Sequence, residues 1–212
     1  MNESPQPKHP LVWIDCEMTG LDPKRHELVE VAVVITDSDL NIVGPGLDVV
    51  IAPSDGALEQ MDDFVTNMHT ESGLIDELAD GLTLGDAEEQ VLEYIKTYVP
   101  DEQSAALAGN SVGQDRLFLL EYMPKVTEHL HYRVIDVSTI KELAKRWYPR
   151  VYACAPEKHG GHRALADILE SIQELVYYRE ALFPAELNPK SGFYKEIAAK
   201  VEARGIALST DN

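Results

Sequence analysis

The sequence predicts an α/β domain, a mixed β-sheet flanked by α-helices. Two observations support this fold class: three extended apolar segments come first along the chain, and helical patterns then alternate with further strand-like segments. That order is typical of layered α/β domains. The 212 residues suit one domain, and a chain of that length can bury a substantial core.

The first three extended segments are short and apolar. Residues 11–15 and residues 28–36 each predict a buried strand, the second because it is rich in Val and Ile. A third strand is predicted from residues 42–43 to residues 47–51, with a bend at the intervening Gly-Pro-Gly. Short helices and turns are expected over residues 62–80.

Helix and strand patterns alternate in the middle of the chain. Residues 105–108 predict a strand that ends at a Gly-Asn-Ser turn, and residues 114–123 predict a helix that ends before a proline. Residues 134–137 predict another strand. Ser138 is the expected cap of the helix at 139–147, and a capping box from Thr139 to Glu142 is the alternative.

Two further helices show clear apolar stripes. Asp86 is the expected cap of a helix that Pro100 ends, with the stripe Ala87, Val91, Leu92, Ile95 and Tyr98. The strongest amphipathic pattern follows the break at Gly160-Gly161, with the stripe Leu165, Ile168, Leu169, Ile172, Leu175 and Val176. Residues 191–204 predict a last helix, ended by Gly205.

The ends of the chain and its cysteines suggest its organisation and compartment. Residues 1–10 hold three prolines and no apolar signal core, which predicts a flexible lead-in before a domain at 11–183. Residues 184–212 predict a helical extension and tail. Apolar runs such as 31–35 are too short to cross a bilayer. Two cysteines are too few for a disulfide framework or a four-ligand zinc site, which favours a location in the reducing cytoplasm.

The formal net charge of −19 argues against a protein that tracks long polynucleotides or duplex DNA, since such proteins usually carry basic grooves. The acid excess is uneven. Residues 53–104 hold 14 Asp and Glu against Lys96, whereas residues 131–163 hold seven Lys and Arg against three acids. An acidic body with one basic lip suits a substrate with few phosphates, and ordinary solvated surface is the alternative interpretation.

Acidic residues recur where the predicted strands and helices begin or end. Asp15 and Glu17 close the first strand, where side chains two apart face the same way. Two carboxylates so placed repel each other unless cations lie between them. Asp115 falls at a predicted helix N-terminus, where an ordinary interaction with the helix dipole is the alternative.

Asp167 and His162 follow the Gly-Gly break. Asp167 lies near an apolar helical stripe, where an unpaired carboxylate would be costly. His162 is five residues earlier, about 140° around a continuous helix, so the two can act together only if His162 lies on the loop before the helix. An exposed loop histidine without a role is the alternative.

Four carboxylates and one histidine have the composition of a site for two hard divalent cations. Such cations activate a water and stabilise a leaving oxygen, and imidazole can accept a proton at neutral pH. The sequence has no cysteine pair at zinc-ligand spacing, no Gly-x-Ser-x-Gly elbow and no P-loop.

Three segments resemble the exonuclease motifs of oligoribonucleases. Trp13-Ile-Asp-Cys-Glu-Met-Thr-Gly-Leu-Asp22 is similar to the first, and Gly109-Asn-Ser-Val-Gly-Gln-Asp115 to the second. The third, His162-Arg-Ala-Leu-Ala-Asp167, is similar to the histidine-containing form. Residues 131–147 resemble a stretch typical of this family, and the similarity covers residues 11–183.

This resemblance implies a ribonuclease H-like fold with about five strands and hydrolysis of short RNA, from the 3′ end, to 5′-mononucleotides. It implies two divalent cations, Mg²⁺ or Mn²⁺, held by Asp15, Glu17, Asp115 and Asp167, with His162 as general base. The family acts as a homodimer on RNAs of two to five nucleotides, dinucleotides above all.

The resemblance also implies substrate-binding residues. Leu21 would wedge between bases, and His69 would contact the substrate. Asn110, Ser111 and Gln114 would line the pocket. Tyr132 of the partner subunit, with Arg133, Ser138 and Thr139, would cap the 5′ phosphate. Phe64 stands where tryptophan is expected in relatives. Phenylalanine keeps the apolar character of the position, but whether it contacts the substrate directly is left open.

The sequence leaves two other functions open. A proofreading or RNA-end-trimming exonuclease would carry similar acidic motifs, but the 131–147 stretch and the acidic charge disfavour it. A non-catalytic dinucleotide-binding protein could keep the fold, but all five catalytic positions are filled.

Overall fold

A computed structural model describes residues 7–157, 161–183 and 191–204 of the chain. The strands are β1 (Leu11–Met18), β2 (Leu28–Thr36), β3 (Ile42–Val50), β4 (Ala106–Gly109) and β5 (His131–Asp136). The helices are α1 (Asp63–Glu71), α2 (Leu74–Glu77), α3 (Leu84–Tyr98), α4 (Gly113–Tyr122), α5 (Pro124–His129), α6 (Val137–Trp147), α7 (Pro149–Ala153), α8 (Ala164–Leu182) and α9 (Ser191–Arg204).

The five strands form one mixed sheet in the order β3-β2-β1-β4-β5. The first three pair antiparallel, whereas β4 lies parallel to both β1 and β5. β1 is therefore central, and its carboxyl end opens at the same edge as those of β4 and β5. This arrangement confirms the predicted mixed sheet.

The alternation of side chains along β1 divides the core into two layers. Val12, Ile14 and Cys16 pack against α3, α4 and α5 on one face. Trp13 packs against α6 and α8 on the other. Full burial of a side chain such as Ile14 is worth about 1.5–3 kcal/mol, so the strand that carries Asp15 and Glu17 is firmly held between the two helical layers.

The third strand is bent as the Gly-Pro-Gly sequence predicts. Gly44 and Gly46 both have positive φ, at 88° and 79°, a region that glycine enters without steric cost. The pairing of β2 with β3 shifts register between Val33 and Ile35, opposite this bend. Among the described residues, no helix is both long and apolar enough to cross a membrane.

Two predicted helix caps are wrong by a few residues. Thr83, rather than Asp86, caps α3, because the Thr83 side chain accepts the hydrogen bond from the Asp86 N–H. Asp136, rather than Ser138, caps α6 by accepting from the Ser138 N–H. In each case the helix begins earlier than the apolar pattern suggested.

Three other differences concern short elements. β5 begins at His131, earlier than predicted, since its first three residues are His, Tyr and Arg and give no continuous apolar signal. The helices α5 and α7 each begin with a proline, a residue suited to a first turn as well as to a stop. Residues 1–6 of the lead-in, Gly160 of the predicted break and the tail from Gly205 lie outside the described residues.

Candidate active site

The candidate site begins at the carboxyl end of the central strand. Asp15 and Glu17 extend from β1 on the face that carries Trp13, toward α8. Asp15 is half-buried, and Glu17 is only 7% exposed. A buried carboxylate needs charge compensation or hydrogen bonds, so Glu17 is the first indication of a site rather than a solvated strand end.

The start of α8 brings two more groups to Glu17. One ligand atom from each of Glu17, His162 and Asp167 lies within 4.8 Å of the others. His162 precedes α8 with a φ of 47°, an unusual conformation for a residue other than glycine. Because the helix begins at Ala164, the histidine stands on the loop, as the spacing to Asp167 required.

Asp115 approaches from the other helical layer. It lies in the first turn of α4 and is buried. Its Oδ1 accepts a hydrogen bond from the backbone N–H of Cys16 at 3.1 Å. Asp115 is thus fixed to the backbone link between Asp15 and Glu17, so all four predicted carboxylates come from elements that meet at this end of β1.

The electrostatics of the site favour neutral carboxyls or bound cations. Burial, together with the charges of Glu30, Asp167 and Asp115, raises the pKa of Glu17 to about 8, while the charge of Arg163 opposes the shift. Burial also raises the pKa of Asp115. Carboxylates crowded in this way attract hard cations, which prefer oxygen ligands. Carboxylate oxygens and one imidazole therefore fit Mg²⁺ or Mn²⁺.

A cleft of about 450 Å³ adjoins Glu17. Leu21 and Phe64 line it, yet they are 74% and 72% exposed. Large apolar side chains that protrude at the rim of a mainly apolar cleft indicate a binding surface. The Gln114 side chain holds the turn in place, because its Nε2 donates to the Leu21 carbonyl at 2.7 Å.

His69 supports the site from behind. Its ring is fully buried, its Nε2 lies 2.9 Å from the Met18 carbonyl oxygen, and its Nδ1 lies 3.9 Å from Oε2 of Glu17. The ring therefore lies against Met18 and Glu17, and the substrate contact expected of His69 stays a prediction.

Two residues expected in the substrate pocket, Asn110 and Ser111, belong to a polar network. Asn110 donates to Ser171 and Glu174 of α8 and accepts from Ser138 at 3.0 Å. The Ser111 N–H donates to Asp136 and Ser138, each at 3.0 Å. These bonds tie β4, α6 and α8 together at the edge where the carboxylates lie.

The edge strand β5 carries Tyr132 and Arg133. Tyr132 is 67% exposed, and the Arg133 guanidinium lies 5.5 Å from the centre of its ring. In the sheet register, His131 aligns with Ala106, and Ala106 with Leu11. An offset of five to six residues at about 3.3 Å each, and two strand spacings of about 4.8 Å, then put roughly 20 Å between Tyr132 and Glu17 of the same chain.

The predicted basic lip is only partly available for phosphates. Of its seven cations, Lys141 pairs with the buried Glu174 at 3.0 Å. Arg146 pairs with Glu142 one turn earlier, and Arg163 pairs with Glu30 and Glu77. These three hold the protein together, which leaves fewer positive charges for a substrate than the sequence count suggested.

Sequence comparison agrees with this geometry. A family model described as Exonuclease matches residues 12–175. The oligoribonuclease of Leifsonia xyli subsp. xyli is 62% identical over 179 residues, covering 84% of this chain and 86% of that protein. The oligoribonuclease of Streptomyces griseus is 57% identical over 193 residues, covering 91% and 96%.

Structure comparison supports the fold alone. The zinc-bound E. coli exonuclease I complex with single-stranded DNA has a TM-score of 0.65 at 14% identity, over 82% of this chain and 41% of that chain. Exonuclease I from Methylocaldum szegediense has a TM-score of 0.59 at 19% identity, over the same shares. The chain thus spans about two fifths of the length of these structures.

The fold, the acidic strand end and the matching family model define a nuclease of the exonuclease class. Within that class, the extent and identity of the sequence matches are decisive. The chain belongs to the oligoribonuclease family.

Proposed function

We propose that this protein is a 3′→5′ exoribonuclease that hydrolyses RNAs of two to five nucleotides, especially dinucleotides, to 5′-mononucleotides. One observation carries the proposal: Glu17, His162 and Asp167 converge within 4.8 Å at the strand end where Asp115 is anchored. The five groups come from three separated segments of the chain, which have no packing reason to bring them together there.

The carboxylates of Asp15, Glu17, Asp115 and Asp167 would hold two divalent cations, Mg²⁺ or Mn²⁺. Bound there, the cations would supply Lewis-acid activation of a water and stabilisation of the leaving oxygen. His162 would accept the proton of the attacking water, a role for which imidazole is suited at neutral pH. His162 is exposed at the mouth of the site. This position supports the role, because the imidazole must pass the accepted proton on to solvent.

The cleft beside Glu17 would bind the bases. Leu21 would wedge between two bases, and Phe64 would stack on one of them, since base stacking on aromatic rings tolerates any sequence. The cleft volume of about 450 Å³ is typical of a small-molecule pocket. It therefore suits one or two nucleotides better than a long strand.

A homodimer would explain the position of Tyr132. The side chain is exposed on an edge strand and far from Glu17 of its own chain, so it can serve a site only if a second copy presents it. We infer that Tyr132 and Arg133 of the partner subunit cap the 5′ phosphate of the substrate. Ser138 and Thr139 would help to bind that phosphate. The cap would exclude longer RNAs from the site.

The free cysteines Cys16 and Cys154 are consistent with activity in the cytoplasm, where thiols stay reduced. The RNA itself would be single-stranded, because an acidic protein with few available cations gives little affinity for a duplex.

A length series tests the proposed function. Hydrolysis of RNAs from two to ten nucleotides, with and without a 5′ phosphate, should be fastest for dinucleotides that carry the phosphate, and the products should be 5′-mononucleotides. Faster turnover of the ten-nucleotide RNA would favour a proofreading or trimming enzyme instead. Dinucleotide binding without any hydrolysis in Mn²⁺ would favour a non-catalytic binding protein.

A further inference from the structure

Arg163 stands between His162 and the first residue of α8, and two carboxylates from other elements hold it. Its Nε donates to Oε1 of Glu30 at 2.8 Å. Its two terminal nitrogens donate to the two Glu77 oxygens, each at 2.9 Å. Fork-to-fork pairing of this kind is among the most geometrically restrictive contacts that a side chain can make.

Glu30 performs a second task at the same place. Its other oxygen, Oε2, accepts the hydrogen bond of the Ala164 N–H at 2.9 Å. The N-cap residue of α8, Arg163, makes no side-chain cap of its own. Glu30, fully buried in β2, therefore replaces the cap, and its negative charge lies at the positive end of the helix dipole.

Glu30 also lies directly beside the site. The register of β1 and β2 pairs Glu30 with Glu17, and both side chains face α8. Two adjacent buried carboxylates repel each other strongly. The charge of Arg163 compensates that repulsion, so one arginine allows both carboxylates to stay where the strand places them.

We propose that Glu30 and Arg163 form a clamp that positions the His162–Asp167 end of α8 against Glu17, with Glu77 holding Arg163 from the outside. His162 has a backbone conformation that costs free energy, so its neighbours must hold it. Asp167 follows by one turn, its N–H donating to the Arg163 carbonyl at 3.1 Å. Glu30 and Arg163 are positioning residues and touch no substrate.

The clamp makes a specific kinetic prediction, which rests on the proposed function. Loss of the clamp should displace His162 and Asp167, and a displacement of about 1 Å can reduce a rate about 10²-fold. Leu21 and Phe64 lie on other elements, so the KM for a dinucleotide should stay within about threefold while kcat falls roughly 10–100-fold, the scale for residues that orient metal ligands.

The experiment compares Arg163→Met and Arg163→Lys with the matched control Arg179→Met. Arg179 lies on the same helix and donates to the backbone and side chain of Asp39 at its far end. Two readouts need no RNA: Mn²⁺ affinity, from the electron paramagnetic resonance of free Mn²⁺, and hydrogen exchange of a peptide covering residues 161–170. Dinucleotide kinetics provide the third.

Arg163→Met should weaken Mn²⁺ binding by about 10–100-fold and speed exchange of the Ala164 and Asp167 amides. Arg163→Lys should recover part of the loss, because lysine keeps the charge but not the fork. Arg179→Met should match the wild type within about twofold, the scatter expected for a distant surface pair.

The clamp would be overturned if Arg163→Met and Arg179→Met had the same Mn²⁺ affinity and the same amide hydrogen exchange over residues 161–170. Should Arg163→Met fail to fold, Arg163→Lys decides by the same criterion. If the wild type cleaves no RNA while Arg163→Met still loses Mn²⁺ affinity, the proposed function fails and the clamp stands.

Discussion

Oδ1 of Asp115 accepts a hydrogen bond from the backbone N–H of Cys16 at 3.1 Å, although the two residues are 99 positions apart in the sequence. This bond joins the first turn of α4 to the central strand at the point where Asp15 and Glu17 emerge. It explains how a helix on one face of the sheet and a helix on the other contribute to one site.

Asp115 is predicted to hold a divalent cation through its carboxylate. Asparagine in its place keeps an oxygen that can accept from the Cys16 N–H but removes the charge that a divalent cation needs. Asp115→Asn should therefore lower kcat at least about 10²-fold, the scale for loss of one preorganised electrostatic group, with the melting temperature retained. Activity within threefold of the wild type would remove Asp115 from the metal site, and thermal unfolding of the same sample provides the folding control.

His162 allows a test that separates chemistry from backbone strain. Asparagine and glycine both accept the positive φ of this position, so neither His162→Asn nor His162→Gly should disturb the loop. Each should reduce kcat by roughly 10²–10⁴ while the dinucleotide Kd changes little. A pair of variants that turned over at the wild-type rate would exclude His162 as the base.

The raised pKa of Glu17 predicts a pH-dependent effect of metal on stability. In the metal-free protein the folded-state pKa, about 8, exceeds the usual value of 4.5. The contribution of the Glu17 carboxyl to the free energy of unfolding is therefore fully present below pH 4.5, and it is lost as the pH rises through 8. Glu17→Gln removes the ionisation, so its melting temperature in EDTA should exceed that of the wild type by more at pH 8.5 than at pH 5.

Divalent ions should reverse the order of the melting temperatures of the wild type and Glu17→Gln. Mg²⁺ or Mn²⁺ should raise the wild-type melting temperature more at pH 8.5 than at pH 5, because the ligands must be deprotonated, and should stabilise Glu17→Gln less. If the cation raised the wild-type melting temperature equally at both pH values, or raised that of Glu17→Gln by the same amount, Glu17 would hold no cation.

The exposed ring of Phe64 is predicted to stack on a base. Phe64→Ala should raise the dinucleotide Kd by roughly tenfold, near the lower part of the 1–3 kcal/mol expected for one stacked base. Phe64→Trp should keep or improve the affinity, since tryptophan offers a larger face. Leu120→Ala is a suitable control, as this leucine is an exposed apolar residue of α4. Equal Kd values for Phe64→Ala and Leu120→Ala would exclude stacking.

A mixing experiment tests whether Tyr132 acts across a dimer. Tyr132→Ala and His162→Asn should each be weakly active alone, assayed at substrate concentrations below the KM. After subunit exchange, a mixed dimer would contain one site with an intact His162 and an intact partner Tyr132. With random pairing in a two-fold dimer, about a quarter of all sites should regain wild-type activity. Activity no higher than the average of the two variants would mean that Tyr132 acts within its own chain or not at all.

Much of the fold follows from local patterns. The strands β1 and β2 are apolar runs whose ends are clear in the sequence, and α8 has an apolar stripe long enough to identify it. By contrast, α5 and α7 begin at prolines that the sequence presents equally well as stops. The caps Thr83 and Asp136 were missed because a helix start depends on which side chain accepts the first N–H, which the apolar pattern does not record.

The site was predictable in part for the same reason. Asp15, Glu17 and Asp167 lie at positions fixed by strand or helix periodicity near an element end. The protein contacts of His69 and Asn110, by contrast, lie on other elements, 51 residues away at Met18 and 61 residues away at Ser171. No spacing along the chain reports such partners.

By itself, the sequence determined the order of strands and helices, the two carboxylates that share a face of β1, and the loop position of His162, because each depends on neighbours within a few residues. Tertiary structure alone decided that Asp115 reaches the backbone of Cys16, that His69 is buried behind Glu17, and that Glu30 binds both Arg163 and the Ala164 N–H at the start of α8. Those contacts depend on how two helical layers pack on the sheet, and packing distances are set by the whole core rather than by any local pattern.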